Sequence, residues 1–271
     1  MQHLAVRPRS PALQPFIKSF HYDEATLPFG LERIMPSGGA HLMINLAQDQ
    51  FRTYGGAACE RIHSTRGAAL AGPHGQASIL DTGEFQWLLA VEFRMGGAAP
   101  FFRAPLDQLS NQAVGLDDLW GVDGRLLREE ILGAPSPAEK LRVLESALLR
   151  HFSRESYPGI AHAAKLLDGG MPVAATAARL GWLPRTFTRR FSQQVGLTPK
   201  RFARVRRMQR MLRTLRSGGP VDWCELAARY RFSDQAHLIH DFRDLTGLTP
   251  TGYQPQSPQR GNHVPVSIHP L

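Results

Sequence analysis

The sequence predicts a two-domain α+β protein. A small antiparallel β barrel or sandwich with trailing helices comes first, and an all-α domain of two helix-turn-helix units joined by a long helix follows. Three observations carry this. The region from Val173 to Tyr253 contains one unit twice; the first ninety or so residues read as short strands punctuated by turns; and the charge is divided unevenly between the two halves. The first copy runs Ala177-Ala178-Arg179-Leu180-Gly181-Trp182, then Phe191, then Gly196-Leu197-Thr198-Pro199 to Phe202. The second runs Ala227-Ala228-Arg229-Tyr230-Arg231-Phe232, then Phe242, then Gly247-Leu248-Thr249-Pro250 to Tyr253. The offset is 50 residues at the front of the unit and 51 at the back, so the second copy holds one extra residue near Ser233. Such self-similarity argues for one architecture built by duplication.

At 271 residues the chain accommodates one large domain or two ordinary ones. No apolar run reaches the length of a membrane span, and the first residues lack the apolar core of a signal peptide. Cys59 and Cys224 are the only cysteines, too few and too far apart for a disulfide framework or a cysteine-rich zinc site, so a reduced, cytoplasmic setting is expected. Residues 160–271 hold 17 Lys+Arg and 6 Asp+Glu, a balance of +11, whereas residues 1–159 hold 15 and 17, a balance of −2. An arginine-rich genome would raise both halves alike. The positive excess sits with the repeats, as a phosphate-binding domain requires.

In chain order, the candidate strands are 33–35, His41 to Leu46, Gln50 to Tyr54, Ala77 to Leu80 and Gln86 to Phe93, with a turn at Pro36-Ser37-Gly38-Gly39. A barrel of this kind invites a metal test. His41 stands alone, and His21, His63 and His74 occupy no ligand spacing, so neither metal nor cofactor is expected. After Phe93 the pattern turns helical: short pieces from Ala98 to Leu109, then a helix from Asp123 to Leu132 ended by Gly133. Ser136-Pro137-Ala138-Glu139 is a capping box with proline at the first helical position. It starts a helix whose Leu141, Leu144, Leu148 and Phe152 form one stripe, which packs on its own domain or serves as a dimer contact.

Ser153 to Gly159 is the linker. The expected division is 1–155 for a first domain, 159–254 for a DNA-binding domain and 255–271 for a proline-rich, disordered tail. Inside the second domain a first helix covers Ile160 to Leu167. A connecting helix from Pro199 to Ser217 lays Phe202, Val205, Met208, Leu212 and Leu215 on one side, with Arg204, Arg206, Arg207, Arg210, Arg213 and Arg216 over the rest. It would span ~28 Å, close to the ~34 Å between successive major grooves on one DNA face.

Each repeat reads as helix, tight turn, helix. In the first, Gly181 marks the turn, Pro184 opens the next helix, Phe187 and Phe191 are its buried pair, and Arg185, Thr186, Thr188 and Arg189 are candidates for DNA contact. In the second, Ser233 is the expected N-cap, Leu238 and Phe242 are buried, and Gln235, Ala236, His237, Ile239, His240 and Arg243 complete the candidate set. Arginine suits guanine, Gln235 and His240 suit base edges, and Ala236 and Ile239 suit a thymine methyl, while Arg207 is expected on a phosphate.

The paired units, with an alanine-rich first helix, Phe-Ser-Asp-Gln-Ala-His, an aromatic four after a leucine, and Gly-Leu-Thr-Pro before an aromatic, resemble the DNA-binding domain of AraC/XylS-type transcription regulators, over roughly Gly159 to Gln254. Pro-Ser-Gly-Gly-Ala-His-Leu-Met-Ile-Asn-Leu, with Gly72-Pro73 and Val-Glu-Phe-Arg, is more loosely similar to the N-terminal domain of one AraC-type subgroup. Two positions depart from the family pattern: Arg231 replaces the turn glycine, and Leu183 replaces the serine that caps the first recognition helix.

The resemblance implies a sequence-specific regulator that inserts two recognition helices into adjacent major grooves of double-stranded DNA, with residues 1–155 as a sensing or dimerisation domain. It implies RNA polymerase as a partner of an activator and a homodimer through the first domain; any small-molecule effector is unidentified. Two rivals remain. An enzyme or DNA-repair protein with an attached helix-turn-helix would need a metal triad or a reactive cysteine, and Cys59 has no flanking motif. An interaction module that no longer binds DNA would not need the basic surface.

Overall fold

A computed structural model describes residues 2–25, 30–56, 59–153, 157, 159–215, 221–255, 257 and 260–266. Strands β1 (Gln2–Val6), β2 (Ile17–Glu24), β3 (Leu31–Ile34), β4 (His41–Asn45), β5 (Phe51–Gly55), β6 (Arg61–Thr65), β7 (Ala68–Ala71), β8 (Ser78–Asp81), β9 (Trp87–Phe93) and β10 (Ala113–Gly115) form the first domain with α1 (Leu116–Trp120), α2 (Val122–Gly133) and α3 (Pro137–His151). The second domain holds α4 (Ile160–Asp168), α5 (Val173–Arg179), α6 (Pro184–Val195), α7 (Pro199–Leu215), α8 (Trp223–Arg229) and α9 (Gln235–Thr246). A last strand, β11 (His263–Val266), follows.

All pairings are antiparallel. One sheet has the order β1-β2-β9-β4-β7-β10 and the other β11-β3-β8-β5-β6. Alternation along the central strands separates two faces of the first sheet. Leu42 and Ile44 of β4, Leu89, Val91 and Phe93 of β9, and Leu70 of β7 pack under α1–α3 in one core. His41, Met43, Leu88, Ala90 and Glu92 point the other way, into a cavity of about 1290 Å³ that the second sheet and the helical domain also line. Ser136 Oγ caps α3 by accepting from the Glu139 N–H at 3.3 Å. The stripe expected on α3 is core: Leu141, Leu144 and Leu148 are buried beneath the first sheet and Phe152 packs beside them. That face is therefore not available for a dimer contact.

The two domains share apolar contacts. Met35, just after β3, and Val264 of β11 belong to the same buried cluster as Phe202, Val205 and Phe242. The tail was expected to be disordered, but residues 263–266 pair with β3 from Ile34 to Leu31. The reason is local chemistry that a composition count misses. Glu32 of β3 sits between His263 Nδ1 (2.7 Å) and Arg260 Nη2 (3.1 Å), and the Tyr253 hydroxyl donates to the Gly261 carbonyl. Residues 256, 258, 259 and 267–271 of the tail, residues 154–156 and 158 of the linker, and Arg216 with Ser217 at the end of the connecting helix lie outside the described residues. No helix among the described residues is long and apolar enough to cross a membrane.

Candidate DNA interface

The duplication is geometric as well as textual. Helices α5 and α8 have seven residues each and α6 and α9 twelve each. Both turns are closed the same way. The Gly181 and Trp182 N–H groups donate to the Ala178 and Ala177 carbonyls at 3.0 Å each. In the second unit Arg231 and Phe232 donate to Ala228 (3.1 Å) and Ala227 (2.9 Å). The backbone is left-handed at both turn residues, with φ +67° at Gly181 and +58° at Arg231. Only the second carries a Cβ there, a strain of about 1 kcal/mol.

Helix α6 opens with Pro184 at its first position, where a missing N–H costs nothing. It buries Phe187 and Phe191 against Phe202 and Trp182. Arg185, Thr188 and Arg189 face out, with Thr186 half-buried beside them. Helix α9 buries Leu238 and Phe242 and turns Gln235, Ala236, Ile239, His240 and Arg243 outward. The spacings 235, 239, 243 and 236, 240 place these five on one face. Its N-cap is Asp234, one residue later than expected, whose Oδ1 accepts the His237 N–H at 2.7 Å. Ser233 instead bridges, its Oγ lying 3.0 Å from His237 Nδ1 and 3.1 Å from Asp234. Backbone and side-chain hydrogen bonds hold the Asp234 carboxyl below the usual range. Ser233 and His237 thus frame the helix start, while the other five α9 candidates share one exposed face.

The connecting helix fixes one unit against the other. Asp241 of α9 is buried and takes hydrogen bonds from Arg204 Nε (2.6 Å) and Arg207 Nη2 (2.9 Å). Asp244 takes Arg201 and Arg204, and Asp168 of α4 takes Arg206 at 2.9 Å. Arg207, expected on a phosphate, also lies 3.9 Å over the Phe232 ring. Its charge is spent inside the domain because a buried carboxylate lies within reach. Arg179 and Arg229, 50 residues apart in the last turns of α5 and α8, are exposed and flank the two turns equally. They were missed as candidates, although the repeat offset alone would have paired them.

One loop of the first domain touches both units. The Ala77 N–H donates to the Leu245 carbonyl near the end of α9 (2.8 Å), and the Gly75 carbonyl accepts Arg201 Nε of α7 (3.1 Å). A Cβ placed on Gly196, at the end of α6, would lie 2.5 Å from Pro73. Within the same loop His74, with its Nδ1 on the Gly72 carbonyl, lines the cavity. His41 lines it too, and burial lowers the pKa of both rings. Among the described residues no group of His, Cys, Asp or Glu is arranged to hold a metal ion.

Residues 176–256 match a family described as a helix-turn-helix domain. Residues 6–115 match one described as a domain of unknown function, DUF6597. No curated protein matches the chain in sequence. Among solved structures, the chain is similar to ToxT from Vibrio cholerae O395 bound to (E)-4-(8-methylnaphthalen-1-yl)but-3-enoic acid, at 9% identity and a TM-score of 0.44, over 87% of this chain and 98% of that one. It is similar to unsaturated fatty acid bound wild-type ToxT from Vibrio cholerae strain SCE256 at 9% identity and a TM-score of 0.40, over 86% and 92%.

Proposed function

We propose that this chain, whose C-terminal domain is an AraC/XylS-type pair of helix-turn-helix units, is a sequence-specific DNA-binding transcription regulator that sets α6 and α9 into adjacent major grooves. The observation that carries the reading is the repeated unit with two outward faces of base-reading side chains, held in fixed relation by α7. Arg185 and Arg189 would take guanine edges and Gln235 and His240 hydrogen-bonding edges, with Ala236 and Ile239 against thymine methyls. Arg179, Arg229 and Arg243 would anchor phosphates. Selection of bound duplexes from a random library, repeated at several salt concentrations, tests this. A bipartite motif whose halves lie about one helical turn apart supports it, and recovery of no motif overturns it.

A second reading, ligand response, is favoured by the cavity and the loop from Gly72 to Ala77. The cavity presents His41, His74 and Glu92 among Met43, Leu80, Phe85 and Leu88. A small molecule seated there would press on the loop that meets α6, α7 and α9, and would act by preferring one arrangement of the two reading helices. Screening small molecules for a rise in melting temperature of the full chain, then repeating the duplex selection with any hit, tests it.

A further inference from the structure

The two copies of the unit differ at one equivalent position. Asp234 begins α9 and caps it; 51 residues earlier stands Leu183, which begins α6 and caps nothing. The Leu183 carbonyl accepts the Phe187 N–H at 2.9 Å, so the backbone is that of a helix start, yet its own side chain satisfies none of the free N–H groups of the first turn. Nor is the leucine repaid by packing. It is 76% exposed, the most of any large apolar residue described, ahead of Ile62 at 57%, and it lies outside the buried cluster of its domain. A side chain that neither caps nor packs contributes nothing to the free domain.

Its surroundings say what it meets. Leu183 precedes Pro184 and Arg185, at the N-terminal end of the helix that the reading above sets into the groove, the end whose residues meet base edges, and it is exposed there as Arg185 is. In the major groove one base alone of the four offers an apolar group: thymine, with its C5-methyl. A leucine has no donor or acceptor to pair with a guanine or adenine edge and would strand those edges without water. We infer that Leu183 is a specificity-determining residue of the first reading head, packing on a thymine methyl at the edge of the sequence that α6 reads. Asp234, an anion at the matching place in the second head, cannot do this and is engaged with His237. The two halves of the DNA site therefore differ at this position, despite the duplicated protein.

This rests on the DNA-binding reading above, and the test separates the two. The full chain is bound to its selected duplex, and each thymine in the half-site that Arg189→Ala relaxes is replaced in turn by deoxyuridine. That exchange removes the methyl and keeps every hydrogen-bonding edge. One position is expected to lose about fourfold in affinity, the ratio that one buried methyl gives. In Leu183→Ser the same exchange is expected to have no effect, while the melting temperature holds or rises, because serine caps the helix. The variant cannot be dismissed as unfolded. A half-site without thymine, uniform indifference to deoxyuridine, or sensitivity retained in Leu183→Ser each overturns the inference and leaves DNA binding standing. Failure of the unmodified chain to select any duplex overturns both.

Discussion

Arg207 on the connecting helix α7 donates to Asp241 on α9 at 2.9 Å, and its guanidinium also covers the Phe232 ring at 3.9 Å. The side chains are 19% and 6% exposed, so this pair is screened far less than a surface ion pair. Arg207→Ala should therefore act on stability, lowering it by about 2 kcal/mol through the lost ion pair and ring contact. Asp241→Ala should cost more, because it leaves Arg204 and Arg207 facing each other without their shared carboxylate. For both variants the salt dependence of DNA binding should keep its slope, since no phosphate contact is removed. A slope reduced by one contact in Arg207→Ala, at unchanged urea midpoint, would return this residue to the DNA surface.

Arg231 holds φ +58° in the turn between α8 and α9. Its carbonyl accepts from Arg207, but that bond uses the backbone and survives substitution. Arg231→Gly should raise stability by about 1 kcal/mol, offset in part by the greater freedom of glycine in the unfolded chain. A lower urea midpoint for the glycine variant would show that the exposed guanidinium makes a contact worth more than the strain.

The two helix-turn-helix units were legible because their signals are local: aromatic residues four apart, Gly-Leu-Thr-Pro after each helix, and a turn residue at matching offset. The first domain was legible in part. Strands rich in β-branched or aromatic residues, such as β5 and β9, declare themselves, whereas β7 is Ala-Ala-Leu-Ala and owes its pairing to β4 and β10. Strand β11 was hidden because its partner strand, Leu31 to Ile34, lies some 230 residues upstream, and its own composition is that of a loose tail. The fate of Arg207 was hidden for the same reason. Whether an arginine meets solvent, phosphate or Asp241 is decided by which helices cross, and periodicity does not report that.

Arg189 lies exposed on α6, one turn beyond Arg185. Arg189→Ala should weaken specific binding by about 1–3 kcal/mol and relax the preference at one base pair. Its urea midpoint should stay put, since the side chain packs on nothing that the domain needs. Measured affinities for the four base-pair variants at each position decide it, and a uniform loss at all of them would make Arg189 a phosphate contact.

Glu92 of β9 tests the cavity wall by pH. Burial alone would raise its pKa, but His21 and Lys18 hold it down to about 2. A carboxyl with a depressed folded value contributes stability that is complete above its unfolded pKa and is lost as pH falls through the folded one. The window is therefore from about 4.5 down to about 2. Over it, Glu92→Gln should show a shallower loss than the parent chain, by at most about 3 kcal/mol. Identical acid profiles would mean that Lys18 and His21 do not hold the carboxylate in solution.

Gly181 and Gly196 separate strain from domain contact. Both have positive φ, +67° and +89°, so alanine at either pays the left-handed penalty of about 1 kcal/mol. Around Gly181 nothing lies within 4 Å of a new Cβ, whereas at Gly196 it would meet Pro73 at 2.5 Å and the Leu106 carbonyl at 3.0 Å. Gly196→Ala should thus cost about 1–3 kcal/mol beyond Gly181→Ala, because the first domain must back away from the end of α6. The loop carrying Pro73 also holds Ala77 against Leu245, so the displacement should reach α9 as well. Amide exchange at Ala77 is the direct readout: it should quicken in Gly196→Ala and stay slow in Gly181→Ala. Equal costs and equal exchange in the two variants would mean that the loop from Gly72 to Ala77 does not couple α6 to α9.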